Sequence, residues 1–330
     1  MSETVLVTGA TGGLGSVLVD ALLAAGRDVI ATGRDRSRGA TLQRHGARFI
    51  AADLVHDDSA PLLVGVGTVI HLAALSSPWG PRAAFVAANL TATERLLAAA
   101  RTAGVKRFLF ASTPSIYTRA RTQLHLTEDT PLPVRPINAY AATKLAAEHA
   151  VRAAAGIGFA TVTLRPRAVI GPRDTVLLPR LIHAARTGVM PLPGRGRALI
   201  EPTDARDVGT AFLAAEARAE AVSGRAFNIS GGRPIPLADL AAHAFHRLGR
   251  AVRLVPIPAR LALGLAHLAE AVARIRPGAP EPALTVYAAT ALGWSQTFDL
   301  AAARAALGWA PIHDPFAAID WALAGQRADA

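Results

Sequence analysis

Thr4-Val5-Leu6-Val7-Thr8-Gly9-Ala10-Thr11-Gly12-Gly13-Leu14-Gly15 is the stretch on which the reading of this chain turns. Its first five residues are apolar and β-branched and read as a short strand, and the apolar run that follows, to Ala25, reads as a helix. Glycines between the two permit a tight turn, close approach of backbone to a pyrophosphate, and close packing of helix on strand. The helix start adds free N–H groups and the positive end of a dipole. A glycine pattern alone is weak evidence. Set between a strand and a helix, it marks Gly9, Thr11, Gly12, Gly13, Leu14 and Gly15 as a dinucleotide site.

Outward from that turn, strand-like runs recur at Asp28–Thr32, Arg48–Ala51, Thr68–Leu72, Arg107–Ala111 and Ala160–Leu164, with helical segments between them. This alternation predicts an α/β fold, a doubly wound parallel (Rossmann) sheet that binds ligands at the carboxyl ends of its strands. The rhythm changes near residue 172, where proline and longer loops take over. The expected organisation is a nucleotide-binding domain over 1–172, with 205–230 returning to the sheet through a strand at Ala226–Ile229. A smaller, mostly helical substrate-binding domain is expected from 173–204 and 231–330.

The second strand ends in Gly33-Arg34, where an NAD-specific fold usually places an acid on the adenosine 2′-hydroxyl. An arginine there suits a 2′-phosphate, so NADP(H) is favoured over NAD(H), with Arg36 and Arg38 as further candidate cations. Asp53-Leu54, after the third strand, would flank adenine, and Ala73-Ala74, after the fourth, are small enough to admit a ligand.

The chain has 35 basic residues, yet only Lys106 and Lys144 are lysines. Lys144 lies four residues after Tyr140, which in a helix stacks the two on one face. An ammonium is a compact point charge, able to sit beside a phenol and still donate to a ligand hydroxyl. At about 4 Å and an effective dielectric near 20, that charge is worth roughly 4 kcal/mol, an upper bound of about three pK units. The expectation is a phenol drawn from about 10 toward neutrality, acting as a general acid or base.

Composition narrows the alternatives. The net charge of +11 is carried by scattered arginines, and aromatics are only 5% of the chain, so stacking platforms for nucleic acid are not expected. Without cysteine, disulfides and thiolate chemistry are excluded. The first strand begins almost at Met1, so no signal sequence is read and a cytoplasmic location is expected. The apolar stretch Ile257 to Ile275 is interrupted by Arg260, His267, Glu270 and Arg274, unlike a membrane span. His243 and His246 lack a third ligand nearby, and no metal site is predicted. Asp204, Arg206 and Asp207 read as a turn and helix start.

Taken in order, Thr8 to Gly15, Asp53-Leu54, His71-Leu72-Ala73-Ala74, Asn89, Ser112-Thr113, Tyr140 with Lys144, and Arg165-Pro166 resemble the extended short-chain dehydrogenases/reductases. The resemblance covers nearly the whole chain. It implies that Tyr140 exchanges a proton with the substrate oxygen, that Lys144 holds the nicotinamide ribose, and that Thr113 hydrogen-bonds the substrate, with Ser112 and Ser115 as rivals. It also implies cofactor contacts by Leu72, Ala73, Ala74, Asn89 and Pro166, and a homodimer through helices at 81–103 and 139–155.

Departures from subfamily patterns point further. The Asp-Glu pair that sugar-nucleotide dehydratases carry is Pro114-Ser115 here, and the diphosphate-contacting asparagine of many epimerases is Ala168. Arg165 to Asp174, Leu177 to Leu181, Gly224 to Asn228 and Ser295 to Asp299 resemble the 3β-hydroxysteroid dehydrogenase-like branch, which includes 2-alkyl-3-oxoalkanoate reductases. The function implied is NADPH-dependent reduction of a small hydrophobic β-keto or steroid-like ketone, or the reverse oxidation. The stretch 257–275 would then be either an apolar lid over the substrate or a helix packed against the second domain. A sugar-nucleotide epimerase and a non-catalytic NADP-binding sensor or interaction protein are the alternatives.

Overall fold

A computed structural model describes residues 3–174 and 178–328; Leu177, quoted above, lies outside the described residues. Its centre is a seven-stranded, all-parallel sheet. The strands are β1 (Thr4–Thr8), β2 (Val29–Gly33), β3 (Arg48–Ala51), β4 (Val66–His71), β5 (Arg107–Ala111), β6 (Ala160–Pro166) and β7 (Arg225–Ile229). Their spatial order is β7-β6-β5-β4-β1-β2-β3. Chain order reverses between β1 and β4, and such a switch point opens a crevice at the carboxyl ends of the strands.

Because side chains alternate across a strand, each strand feeds two cores. Val5, Val7, Ile70 and Leu109 pack on one face with Leu18, Leu22 and Phe212. Leu6, Val69, Phe108 and Phe110 pack on the other with Leu96, Leu97 and Val151. A further cluster gathers Ile170, Leu181, Ile200, Leu240, Phe245 and Ile319. These runs are apolar on both faces because helices cover both sides of a parallel sheet.

The helix expected at 81–103 is broken into an α-turn at Arg82–Phe85, a π-helical segment at Val86–Thr91 and an α-helix at Ala92–Thr102. The widened π-turn carries Asn89. No helix among the described residues is long and apolar enough to cross a membrane.

Helix Ala259–Ile275 packs against helix Val286–Gly293. It buries Ala262, Ala266 and Ala273 and leaves Leu261, Leu265, Leu268, Val272 and Ile275 exposed. None of its residues lines the crevice; helix Val286–Gly293, against which it packs, supplies Tyr287, Ala288, Ala291 and Leu292 to that lining, an arrangement in line with the packed reading of 257–275.

Candidate active site

The crevice at the switch point is a cleft of ≈ 1180 Å³. At one end lies the glycine turn. Gly9 has φ +67°, and a Cβ there would come within 2.7 Å of the Ala73 nitrogen; at Gly15 it would lie 2.2 Å from the Gly9 carbonyl. The turn is therefore open only to glycine at these two positions. Helix Gly13–Ala24 starts without a side-chain cap, and Gly13, Leu14 and Gly15 line the cleft, so first-turn N–H groups are available to an anion. This donor set fits a dinucleotide pyrophosphate.

Beyond β2, Arg34 and Arg38 line the same end. Arg38 donates to the Thr11 carbonyl at 3.2 Å, and Arg34 lies 4.0 Å from the Asp53 carboxylate. A Cβ at Gly33 would meet the Thr11 hydroxyl at 2.5 Å. No acid occupies the place where one would read a 2′-hydroxyl, and a side chain there would have to displace that of Thr11. Arg36 is not part of the lining, whereas Asp53, Leu54, Leu72, Ala73, Ala74 and Pro166 are.

Asn89 does not line the cleft. It is buried, accepting from the Leu75 N–H at 2.7 Å and donating to the Leu75 carbonyl and the Thr143 hydroxyl, each at 3.2 Å. It ties the loop after β4 to the helix bearing Tyr140, a positioning role distinct from the cofactor contact expected for it.

His71, at the end of β4, is wholly buried beside this loop. The Thr93 hydroxyl gives its proton to the Asn89 carbonyl at 2.8 Å, so it accepts from His71 Nε2 at 2.9 Å. The Nδ1 nitrogen is then left to accept from Thr8 Oγ1 at 2.7 Å, while Thr8 Oγ1 accepts from the Ala73 N–H at 3.2 Å. Both ring nitrogens are satisfied by a neutral imidazole. Burial, helped by the Lys144 charge, pulls the His71 pKa down to about 3.

Tyr140 and Lys144, the pair expected to react, lie on helix Ala139–Ala153, which Asn138 caps by accepting from the Ala141 N–H at 2.8 Å. Tyr140, Lys144, Thr113 and Ser115 all line the cleft. Thr113 donates to Ser115 Oγ at 3.0 Å, and Ser115 Oγ pairs with the Tyr287 hydroxyl at 2.8 Å. Burial pushes the Tyr140 phenol up, the nearby Tyr287 adds to that, and the Ser76 and Thr113 hydroxyls pull it partly back.

Lys144 plays no part in that shift, so the expected acidification of Tyr140 by Lys144 is not found in the free protein. Lys144 is 2% exposed, and burial lowers its own pKa to about 7, with Glu148 opposing. Burial, not the Lys144 charge, is the largest influence on the Tyr140 phenol. Its nitrogen sits 4.0 Å from the centre of the Phe110 ring.

Glu148, one turn on, forms a buried ion pair with Arg165 at the end of β6, and Arg165 also donates to the Tyr117 hydroxyl. Tyr117 in turn donates to Asn228 on β7 at 3.1 Å. These groups lock the helix of Tyr140 and Lys144 onto the sheet. Arg165 is thus structural here.

Sequence reasoning passed over Glu148, Ser76, Arg167 and Tyr287. For Tyr287 a signal existed. The chain has three tyrosines, and Tyr117, Tyr140 and Tyr287 all serve this site. The scarcity that singled out Lys144 applied equally to them. Elsewhere, His243 pairs with Asp320 at 2.9 Å, and among the described residues no group of three metal-binding side chains is assembled.

Comparison with known proteins agrees with this geometry. Residues 5–230 match the NAD dependent epimerase/dehydratase family. The chain is 36% identical to the 4-hydroxy-2-methyl-3-oxo-4-farnesyl-3,4-dihydroquinoline-1-oxide ketoreductase of Stigmatella aurantiaca, over 92% of this chain and 91% of that protein. It is 34% identical to the 2-alkyl-3-oxoalkanoate reductase of Stenotrophomonas maltophilia, over 93% and 94%. Among solved structures, MoeE5 in complex with UDP-glucuronic acid and NAD superposes with a TM-score of 0.75 at 26% identity, covering 99% of this chain and 100% of that one. The chain belongs to the NAD dependent epimerase/dehydratase family, as an extended short-chain dehydrogenase/reductase, and is a nicotinamide-dinucleotide-dependent enzyme acting on CH–OH groups.

Proposed function

We propose that this protein is an NADPH-dependent ketone reductase acting on a hydrophobic β-keto or steroid-like substrate. The observation that carries the reading is the character of the cleft beyond the reactive hydroxyls. Leu181, Met190, Ile200, Leu237, Leu240 and Leu292 line it beside Arg167, Arg173 and Arg180, and this apolar surface suits alkyl chain or fused rings. The names of two relatives, a farnesyl-quinoline ketoreductase and a 2-alkyl-3-oxoalkanoate reductase, favour the same chemistry.

A nicotinamide dinucleotide held along the glycine turn would supply the hydride. Tyr140 supplies the proton: with its pKa raised by burial, the phenol is neutral at physiological pH and ready to donate to a carbonyl oxygen as negative charge develops there. Thr113 and Ser115, hydrogen-bonded to each other, offer a second hydroxyl to the same oxygen. Lys144 lines the cleft beside Tyr140, and we assign it the nicotinamide ribose. Arg34 and Arg38 beside an acid-free Gly33 support NADP(H) over NAD(H).

The MoeE5 likeness keeps a sugar-nucleotide substrate as the second reading. A paired screen decides: NADPH and NADH, each with long-chain β-keto acids, steroid ketones and UDP-sugars, following reduced-nicotinamide absorbance and sugar epimer ratio. Turnover of the apolar ketones with NADPH is expected. Epimerisation of a UDP-sugar with no ketone turnover would overturn the proposal.

A further inference from the structure

Arg167 is a buried cation in the cleft whose surroundings leave it poorly served. The residue is 6% exposed yet lines the cleft. Its Nε has no hydrogen-bond partner, and among the described residues no acid forms an ion pair with it. Its side chain hydrogen-bonds the Tyr287 phenol. Glu201 acts on it only through its charge, and the Glu201 oxygens are already engaged by the Ser230 hydroxyl and the Phe298 N–H. By contrast Arg180, also in the lining, is 45% exposed and pairs with Glu281 at 3.1 Å.

A guanidinium keeps its charge even when buried, and an incompletely paired one is costly to hold. The backbone holds it firmly nonetheless. The Arg167 N–H donates to the Ile229 carbonyl at 2.8 Å, its carbonyl accepts from the Thr203 hydroxyl, and Ala168 takes a left-handed φ of +42° immediately after it. A strained, clamped turn presenting a desolvated cation is the arrangement of a binding group.

The position of that cation specifies the ligand. Arg167 meets Tyr287, Tyr287 meets Ser115, Ser115 meets Thr113, and Thr113 faces Tyr140. A ligand whose reducible oxygen rests among the hydroxyls therefore has a planar, five-donor cation close by, matched to a carboxylate. A β-keto acid carries its carboxylate two carbons from the reacting carbonyl.

We propose that Arg167 is the carboxylate anchor of the substrate site, and that the enzyme selects a β-keto or β-hydroxy acid over the corresponding neutral ester. This rests on the ketone-reductase reading above and adds to it the charged end of the substrate. Arg167 acts as a binding residue, and Tyr287 holds it in register with the hydroxyls.

The test compares a long-chain 2-alkyl-3-hydroxyalkanoate with its methyl ester in NADP+ reduction, by kcat/KM, for the wild type, Arg167→Gln and Arg167→Lys. The wild type is expected to favour the acid by about ten- to a hundredfold, the range a charged hydrogen bond carries. Arg167→Gln should erase that preference by losing the acid and sparing the ester, and Arg167→Lys should recover part of it. Equal use of acid and ester by the wild type overturns the assignment. So does a parallel loss of both in Arg167→Gln that lysine does not repair.

Calorimetric binding of dodecanoate against dodecanamide to the wild type needs neither turnover nor a variant. Tighter binding of the carboxylate is expected, and equal binding refutes the anchor. Absence of redox turnover on every ketone and alcohol would instead sink the reductase reading while leaving this comparison decisive for Arg167.

Discussion

Replacing His71 with asparagine should flatten the acid limb of this protein's stability. His71 is neutral in the fold, with a pKa near 3, and titrates near 6.5 when unfolded. Between those values the unfolded chain binds the extra proton. Stability attributable to His71 is therefore complete above about pH 6.5 and is lost as pH falls toward 3, at about 1.4 kcal/mol per unit.

From pH 6 to pH 4.5 that amounts to about 2 kcal/mol, a large share of a typical folding free energy of about 5–15 kcal/mol. The structural cause is specific. A second proton on the ring leaves Nδ1 unable to accept from Thr8, whose hydroxyl also holds the Ala73 N–H at the rim of the cleft.

Urea denaturation of the wild type and His71→Asn at pH 7.5, 6.0, 5.0 and 4.5 reads this directly. The variant is less stable at neutral pH, and the gap narrows by about 2 kcal/mol between pH 6 and 4.5. Glu201 and Glu216, whose pKa values burial raises, contribute with the opposite sign. They are common to both proteins and drop out of the difference. A gap that stays constant across this range would refute the account of a neutral, buried His71.

Glu148→Gln leaves the buried Arg165 guanidinium without its counter-charge and is expected to cost about 3–5 kcal/mol in chemical denaturation. Gly15→Ala places a Cβ 2.2 Å from the Gly9 carbonyl, and fluorescence titration with NADPH should show binding abolished. Arg34→Gln combined with Arg38→Gln should weaken NADPH by about tenfold or more while NADH changes little, because only the 2′-phosphate loses its cations.

The alternation of strand and helix was legible because parallel strands buried on both faces leave continuous apolar runs, and the glycine turn because steric closeness at Gly9 and Gly15 admits no other residue. Tyr140 and Lys144 were legible through helical spacing and the scarcity of lysine. Their electrostatics were not. A spacing of four residues fixes a shared face but says nothing of burial, and burial rather than the neighbouring charge governs both groups.

Long-range partnerships were equally hidden. Asn89 meets Leu75 and Thr143 only through the π-turn, and Arg165 meets Glu148 and Tyr117 only once β6 lies beside β5. That Val286–Gly293 lines the cleft while the longer apolar stretch Ala259–Ile275 does not follows from which helix packs inward, and the length of an apolar run does not reveal that.

The central claim is that the Tyr140 phenol delivers the proton to a ketone in an NADPH-dependent reduction. Its most direct test is NADPH oxidation by Tyr140→Phe with a long-chain β-keto substrate, alongside NADPH binding to the same variant. Loss of turnover by about a hundredfold or more, with cofactor binding preserved, is the predicted result. Turnover surviving at the wild-type rate would contradict it.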